Sequence, residues 1–247
     1  MLSKAQQKLI TSLSQKKYRQ KHGIFVAEGV KVIKEFLKSK YKLHALFTTA
    51  DIFTNQFSNQ DVNPNFITLP ELAKISFLST PQVALALFKI PDYEEVKTKG
   101  LSLILDGVRD PGNMGTIIRE CDWFGIKHII CSADTVDCYN PKVVQASMGS
   151  LARVKVFYTD LHTYLSRQDA EILGAFLDGE NIYKQHKFTK NSLLVLGNEA
   201  NGISPEVEEL VSKRISIPRF GELRETESLN VAMAGAILLS ELRRREL

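Results

Sequence analysis

The fold of this chain is decided by the stretch Leu193-Leu194-Val195-Leu196-Gly197-Asn198-Glu199-Ala200-Asn201-Gly202. Four apolar residues run without interruption and then give way to a polar turn that holds two glycines. A short strand that is apolar throughout is buried on both faces, as in a parallel sheet covered by helices. The turn after this strand therefore lies at the edge where open α/β sheets bind ligands.

Two further stretches end in the same way. Downstream, Arg214-Ile215-Ser216-Ile217-Pro218 leads into a charged loop, and Ser228-Leu229-Asn230 opens an Ala-rich final helix. Upstream, the apolar run 101–105 turns through Asp106-Gly107-Val108-Arg109-Asp110-Pro111-Gly112 into a helix that ends at Gly125. The sequence therefore predicts three polar turns at the carboxyl ends of parallel strands.

The helix from Asn113 to Phe124 has two different faces. At about 100° per residue, one side is apolar and carries Met114, Ile117, Ile118, Cys121 and Phe124. The other side carries Asn113, Thr116, Arg119, Glu120 and Trp123. Because this polar side begins at the end of a strand, it is the side on which a ligand would meet the helix.

Strand and helix alternate through residues 101–240, which predicts one parallel sheet with helices on both faces. Residues 1–90 are predicted to form a smaller α/β unit. It has a helix over 4–18, strands over 24–26, 43–47 and 83–88, a second helix opened by Glu28-Gly29, a polar loop over 51–66 and an edge strand over 67–69. Residues 91–100 are polar and charged with a breaker at each end, so they are interpreted as a linker.

Composition indicates an ordinary soluble globular protein that stays in the cytoplasm. Hydrophobic residues make up 44% and charged residues 24% of the 247, and no apolar run reaches membrane-spanning length. Residues 1–20 scatter lysines and lack the apolar core of a signal peptide. The cysteines Cys121, Cys131 and Cys138 are odd in number and lack Cys-x-x-Cys spacing, which argues against a disulfide framework or a metal site.

Basic charge is concentrated at the amino-terminal end. Residues 1–42 hold eleven Lys or Arg against two Glu, a balance of +9, while the remaining 21 basic and 26 acidic residues give −5. This asymmetry favours a polyanion-binding module joined to a less basic domain, and a solvated lysine face kept for solubility is the alternative. Lys16, Lys17 and Arg19 are the candidate RNA contacts.

The motifs resemble those of one enzyme family. Asp110-Pro111-Gly112-Asn113-Met114-Gly115 with Arg119, then the turn 197–202, then Ile215-Ser216-Ile217-Pro218 with Ser228-Leu229-Asn230-Val231 are similar to the ordered motifs of the SpoU (TrmH) family of RNA ribose 2′-O-methyltransferases, in the SPOUT superfamily. The resemblance implies a carboxyl-terminal trefoil knot, S-adenosyl-L-methionine as cofactor and a homodimer. It also implies a structured RNA substrate, ribosomal RNA more than transfer RNA.

Site residues are carried over from this resemblance. Arg119 would activate or position the attacking hydroxyl, with literal proton abstraction disfavoured by the very high pKa of arginine. Four further residues would shape the catalytic site: Asn113, Glu199, Ser228 and Asn230. Three would line the cofactor pocket: Gly197, Ile217 and Leu229. Structural roles are the alternatives: helix capping for Asn113 and Ser228, a turn for Glu199 and Gly197, and core packing for Ile217 and Leu229.

The same resemblance divides the chain. Residues 1–90 are similar to the substrate-binding domain that often precedes the SpoU catalytic domain, 91–100 form the linker, and 101–247 form the SPOUT methyltransferase domain. A catalytically silent RNA-binding protein with the same fold remains the alternative from another class. A nicotinamide-dependent oxidoreductase is disfavoured because no Gly-x-Gly-x-x-Gly follows a strand.

Overall fold

The structure, a computed structural model, describes residues 1–53, 62–92, 99–184, 188–221 and 228–244. The first elements in chain order are α1 (Lys4–Ser12), α2 (Lys16–His22), β1 (Ile24–Glu28), α3 (Val30–Leu37), β2 (Leu43–Thr48), β3 (Pro64–Phe66), α4 (Leu69–Ala73) and β4 (Ala84–Lys89). They are followed by β5 (Ser102–Leu105), α5 (Pro111–Trp123), β6 (His128–Cys131), α6 (Pro141–Ala146), β7 (Lys155–Tyr158) and α7 (Leu161–Leu165). The last are β8 (Glu171–Asn181), β9 (Ser192–Leu196), α8 (Pro205–Glu208), β10 (Lys213–Ser216) and α9 (Val231–Arg244).

The chain divides into two compact units. Unit 1 contains Met1–Tyr93 and Asp137–Arg153, and unit 2 contains Glu94–Val136 and Val154–Leu247. Within the predicted linker 91–100, residues 93–98 lie outside the described part of the chain.

Unit 1 is built on a four-stranded sheet of order β1-β4-β2-β3. The first two pairings are antiparallel and the β2–β3 pairing is parallel. Two predictions differ here: the edge strand is Pro64–Phe66 instead of 67–69, and a short helix begins at Leu69. That helix has a reciprocal cap, because Thr68 accepts from the amide of Glu71 while the Glu71 side chain accepts from the amide of Thr68.

Residues 137–153 lie within the predicted second domain but pack into unit 1. The ring of Tyr139 lies 4.7 Å from that of Phe25, and its hydroxyl is 3.0 Å from the hydroxyl of Tyr41. Asp137 accepts two hydrogen bonds from the guanidinium of Arg19. The aromatic packing and the ion pair together explain why this segment joins the amino-terminal unit.

Unit 2 is built on a six-stranded sheet of order β10-β8-β9-β5-β6-β7, and every pairing in it is parallel. On one face, Ile104 and Val195 pack with Tyr164 of α7 and with Val207 of α8. Leu196 points to the opposite face, where it approaches Gly235 of α9. The prediction of a parallel sheet covered by helices on both faces is confirmed.

Helices α5 and α9 lie side by side and run in the same direction. Asn230, before α9, bonds to Asn113 near the start of α5, and Arg243, near the end of α9, donates to the carbonyls of Phe124 and Gly125. Arg243 thereby satisfies carbonyls at the end of α5 that have no partner within the helix. The polar turns before both helices are held at the same end of the sheet.

Candidate functional site

The candidate site is assembled at the carboxyl ends of β5 and β9. Asp106 follows β5 directly, is 8% exposed, and accepts from the amide of Ser204 at 2.7 Å. Asn198 follows β9 by one residue and donates to the carbonyl of Gly107 at 2.6 Å. These two bonds join the first and second motif turns, which the sequence predicted to lie together.

Gly197 is required by the shape of the second turn. A Cβ atom built on Gly197 would lie 2.2 Å from the carbonyl carbon of Gly202, so any side chain there would overlap backbone. The same turn is closed by two backbone hydrogen bonds between Asn198 and Gly202, of 2.8 and 2.9 Å. The structural role that the sequence allowed for Gly197 is therefore real.

A directed chain of amide hydrogen bonds joins all three motifs. Asn230 donates from Nδ2 to Oδ1 of Asn113 at 2.9 Å, and Asn113 donates from Nδ2 to Oε1 of Glu199 at 2.8 Å. At the other end, Oδ1 of Asn230 accepts from the amides of Ala232 and Met233, at 3.0 and 3.3 Å. The bonds fix the orientation of both amide groups and hold the turn after β9 against the starts of α5 and α9.

Asn113 does not cap its helix, whereas Asn230 caps the final helix. The N-cap of α5 is Asp110, whose carboxylate accepts from the amide of Asn113, so the Asn113 side chain is free to form the chain of amide hydrogen bonds. α9 begins at Val231, so Asn230 directly precedes the helix, and its side chain caps the first turn. Ser228 lies two residues earlier and is exposed.

Arg119 stands apart from this hydrogen-bonded network. It is exposed, six residues after Asn113, which is about 9 Å along the helix axis. Across the described ranges, no hydrogen bond or ion pair involves its guanidinium, and neither of the neighbouring acids Glu120 and Asp122 pairs with it. An exposed, unpaired guanidinium is suited to binding a phosphate or orienting a hydroxyl.

The three predicted cofactor residues flank the same edge. Gly197 follows β9, Ile217 follows β10, and both are half-buried, while Leu229 before α9 is 50% exposed. All three offer backbone groups or apolar surface. The charged loop between the third motif and Ser228 falls mostly in residues 222–227, which lie outside the described residues.

Glu120 was placed on the polar face of α5, but the structure turns its carboxyl inward. Its Oε2 is buried, no described residue bonds to it, and it faces α9, where a Cβ on Gly235 would lie 3.2 Å away. Burial raises the pKa of Glu120 to about 7. This orientation was not predictable, because helical periodicity does not reveal where the distant helix α9 will pack against α5.

The predicted RNA contacts in unit 1 divide into two kinds. Lys16 and Lys17 are exposed on α2. Arg19 is 2% exposed, pairs with Asp137, and donates to the carbonyls of Leu13 and Ser14 at 2.8 and 3.0 Å. The prediction of Arg19 as an RNA contact is therefore wrong, because its guanidinium is already enclosed and bonded.

The three cysteines lie in the core, and the described residues contain neither a metal-holding cluster nor a helix able to span a membrane. The three cysteines are buried, and burial raises the pKa of Cys121 well above its usual range, as for a core residue. Across the described ranges, no group of three or more His, Cys, Asp or Glu residues is arranged to hold a metal ion. Within the same ranges, every helix is too short or too polar to cross a bilayer.

Two family models match the chain in the expected order. The SpoU rRNA Methylase family matches residues 100–240, and an MRM3-like substrate binding domain matches residues 4–86. The first match contains all three motif turns and the amide chain between them.

Individual relatives agree with the family models. The 23S rRNA (guanosine(2553)-2'-O)-methyltransferase RlmP of Bacillus subtilis is 28% identical over 94% of this chain and 93% of its own length. A TrmH-family protein from Porphyromonas gingivalis is 42% identical, with a TM-score of 0.90 over 99% of each chain. An AdoMet-bound rRNA methyltransferase from Sinorhizobium meliloti is 26% identical, with a TM-score of 0.88 over 100% of this chain and 98% of that one. The chain belongs to the SpoU rRNA Methylase family.

Proposed function

We propose that this protein transfers a methyl group from S-adenosyl-L-methionine to a ribose 2′-hydroxyl of ribosomal RNA. The observation that carries the proposal is the hydrogen-bonded chain Asn230–Asn113–Glu199, which ties three motif turns together at the ligand-binding edge of a parallel sheet. Family membership and the 2′-O-methyltransferase named among the relatives support the same reaction.

The residues at this edge fit an adenosyl cofactor. Gly197 and Ile217 would offer backbone groups and a half-buried wall to the adenosine, and Leu229 would offer exposed apolar surface. A relative of the same length has been solved with AdoMet bound. When bound, the cofactor supplies an electrophilic methyl group, and the protein supplies orientation and electrostatics.

The polar residues have distinct roles in this proposal. Arg119 holds an RNA phosphate and orients the 2′-hydroxyl, since its guanidinium is exposed and its planar fork of donors matches phosphate oxygens. Glu199 presents a carboxylate whose direction is fixed by Asn113, and Asn230 fixes Asn113 in turn. Ser228 is exposed next to Asn230 and would contribute its hydroxyl to the substrate.

Substrate binding is assigned to the amino-terminal part of the chain. We propose residues 1–90 as the RNA substrate-binding domain, 91–100 as the linker and 101–247 as the methyltransferase domain with its trefoil knot. The match of residues 4–86 to a substrate binding domain supports the first boundary. Lys16 and Lys17, exposed on α2, would contact phosphates and set position without reading sequence. The substrate would be met in the cytoplasm.

A homodimer through the paired helices α5 and α9 completes the proposal. Trp123 on α5 is 86% exposed and Met233 on α9 is 60% exposed, so this helix pair presents large apolar side chains to which a second copy could bind. The two helices are adjacent, so both side chains belong to one pair of packed elements.

The experiment that tests the function compares Arg119→Ala with Arg167→Ala, an exposed arginine elsewhere in unit 2. Full-length proteins are given labelled S-adenosyl-L-methionine with ribosomal or transfer RNA transcripts, and cofactor affinity is measured by calorimetry. We expect Arg119→Ala to lower methyl transfer to ribosomal RNA by about 100-fold or more while cofactor affinity is kept. Near-normal transfer by Arg119→Ala would remove the main catalytic assignment, and transfer to transfer RNA alone would change the substrate.

A further inference from the structure

Unit 1 contains a cavity that the methyl-transfer reaction does not use. It has a volume of about 240 Å³ and lies between β1, the segment after α4, and α6. Its apolar walls are formed by Val26, Phe77, Leu78 and Ala146. Every lining residue belongs to unit 1, so the cavity is described within a single compact unit.

Two hydrogen-bond acceptors line this cavity. Glu28 is 5% exposed, and its carboxylate accepts from the hydroxyl of Ser76 at 2.5 Å and from the amide of Phe77 at 2.6 Å. These two bonds hold the carboxylate in one orientation. Burial raises the pKa of Glu28, although both hydrogen bonds act to lower it.

Gln145 supplies the second acceptor. Its Oε1 atom is buried, and no residue in the described part of the chain donates a hydrogen bond to it, although Gln145 lines the cavity. A buried acceptor without a donor costs free energy, and each such atom in a native structure calls for an explanation. A bound molecule that carries N–H donors would supply the missing partner.

The size and walls of the cavity restrict what that molecule is. Pockets for drug-sized ligands enclose about 300–1,000 Å³, so this smaller cavity has room for a single flat ring system. Phe77 is half-buried at its wall, and aromatic rings are the surfaces on which unstacked RNA bases pack. Lys142 lines the same cavity and is exposed, where its ammonium group can meet a phosphate.

We propose that this cavity binds an unpaired base of the RNA substrate, and that guanine fits it best. Guanine presents adjacent N1–H and N2–H donors on one edge, which match the two oxygens of the Glu28 carboxylate, and its amino group has a second hydrogen for Gln145. Uracil has one donor on that edge, whereas adenine and cytosine have only an amino group. The proposal rests on the proposed function, because it takes the substrate to be RNA.

The test uses the full-length, ¹⁵N-labelled protein, which is first saturated with S-adenosyl-L-methionine so that the cofactor site is filled. This protein is then titrated separately with guanosine, adenosine, cytidine and uridine. We expect guanosine to shift the side-chain amide resonance of Gln145 and the backbone amide of Phe77 at lower concentration than the other nucleosides. Gln145→Leu should weaken guanosine binding by about tenfold. Gln168→Leu makes the same chemical change in unit 2 and should leave guanosine binding unaltered.

Equal shifts from all four nucleosides, or no shift from any, would overturn the assignment, and the wild-type titration alone decides this even if Gln145→Leu fails to fold. Unchanged guanosine affinity in folded Gln145→Leu would overturn it as well. Methyl transfer to ribosomal RNA is measured on the same preparations. Transfer without guanosine binding refutes the cavity assignment alone, whereas guanosine binding without transfer refutes the proposed function and leaves the cavity assignment standing.

Discussion

At the scale of single residues, the site depends on amide groups that point in one direction. Asn113 is central, because it donates to Glu199 and accepts from Asn230. The Asn113→Asp variant keeps the shape of the side chain but places a second carboxylate against Glu199. Two carboxylates at hydrogen-bond distance cannot both be ionised without a large cost.

We therefore expect Asn113→Asp to lower methyl transfer by about 10-fold to 100-fold, with a greater loss at pH 8 than at pH 6. At the lower pH the two carboxylates can share a proton and restore the hydrogen bond. The measurement is the pH profile of transfer, relative to wild type. A loss that is the same at both pH values would show that Asn113 does not act through Glu199.

Single residues also show where pattern reasoning is limited. Asn113, Glu199 and Asn230 were predicted together because their motifs are local and ordered along the chain. The burial of Arg19 was not predictable, because its partner Asp137 is 118 residues away in sequence. In a lysine-rich stretch, the sequence pattern predicts that every basic residue is exposed. Only the ion pair with Asp137 distinguishes the buried Arg19 from the exposed Lys16 and Lys17.

At the scale of elements, the contact between α5 and α9 encloses the Oε2 atom of Glu120, to which no described residue bonds. Burial raises the pKa of Glu120 to about 7, so the folded state holds a proton that the unfolded state releases near its ordinary value. The contribution of this group to stability is therefore fully present below about pH 4.5 and is lost as the pH rises through about 7.

We expect the difference in the free energy of unfolding between Glu120→Gln and wild type to depend on pH. This difference should favour the variant by roughly 1–3 kcal/mol more at pH 8 than at pH 4.5. The measurement is denaturant unfolding across this pH range. Glu209→Gln, at an exposed position after α8, is the matched control and should show no such trend. A Glu120→Gln effect that does not change with pH would mean that the carboxyl is not desolvated.

The basic helix α2 gives a prediction of its own. Neutralising Lys16 and Lys17 together as glutamines should weaken binding to ribosomal RNA and reduce the slope of log affinity against log salt by about 2. Lys127 and Lys190, exposed in unit 2, provide the matched double variant and should leave the slope nearly unchanged. An unaltered slope in the Lys16 and Lys17 variant would exclude α2 as an RNA contact.

Most elements followed from periodicity, and the differences have physical causes. A single helix was predicted over 4–18, but α1 ends at Ser12 and α2 begins at Lys16. The break is stabilised by Arg19, which donates to the carbonyls of Leu13 and Ser14. Apolar spacing continues across this turn, so the sequence pattern contains no signal for it.

At the scale of the whole molecule, the parallel sheet was predictable and the grouping of the chain was not. The apolar runs before Asp106 and Gly197 indicated buried parallel strands, and the structure has both. Residues 137–153 lie inside the range predicted for the methyltransferase domain, whereas they pack into unit 1 through Asp137 and Tyr139. Long-range aromatic contacts of this kind do not alter the hydrophobic periodicity of the sequence, so the pattern does not predict them.

The proposed dimer is tested at the same scale. Trp123→Glu should shift the protein from dimer to monomer, because it places a charge within the proposed apolar contact. The measurement is molar mass by light scattering over a range of concentrations. Tyr183→Glu, at another exposed aromatic residue of unit 2, is the control and should keep the wild-type mass. A dimer that persists in Trp123→Glu would place the interface elsewhere.

The most direct test of the central claim is a map of ribose 2′-O-methyl positions in total RNA. Cells that contain the protein are compared with cells that lack it and with cells that carry Arg119→Ala. The account predicts that at least one methylated position in ribosomal RNA is lost in both altered strains and restored by the wild-type gene. Identical maps in all three strains would contradict it.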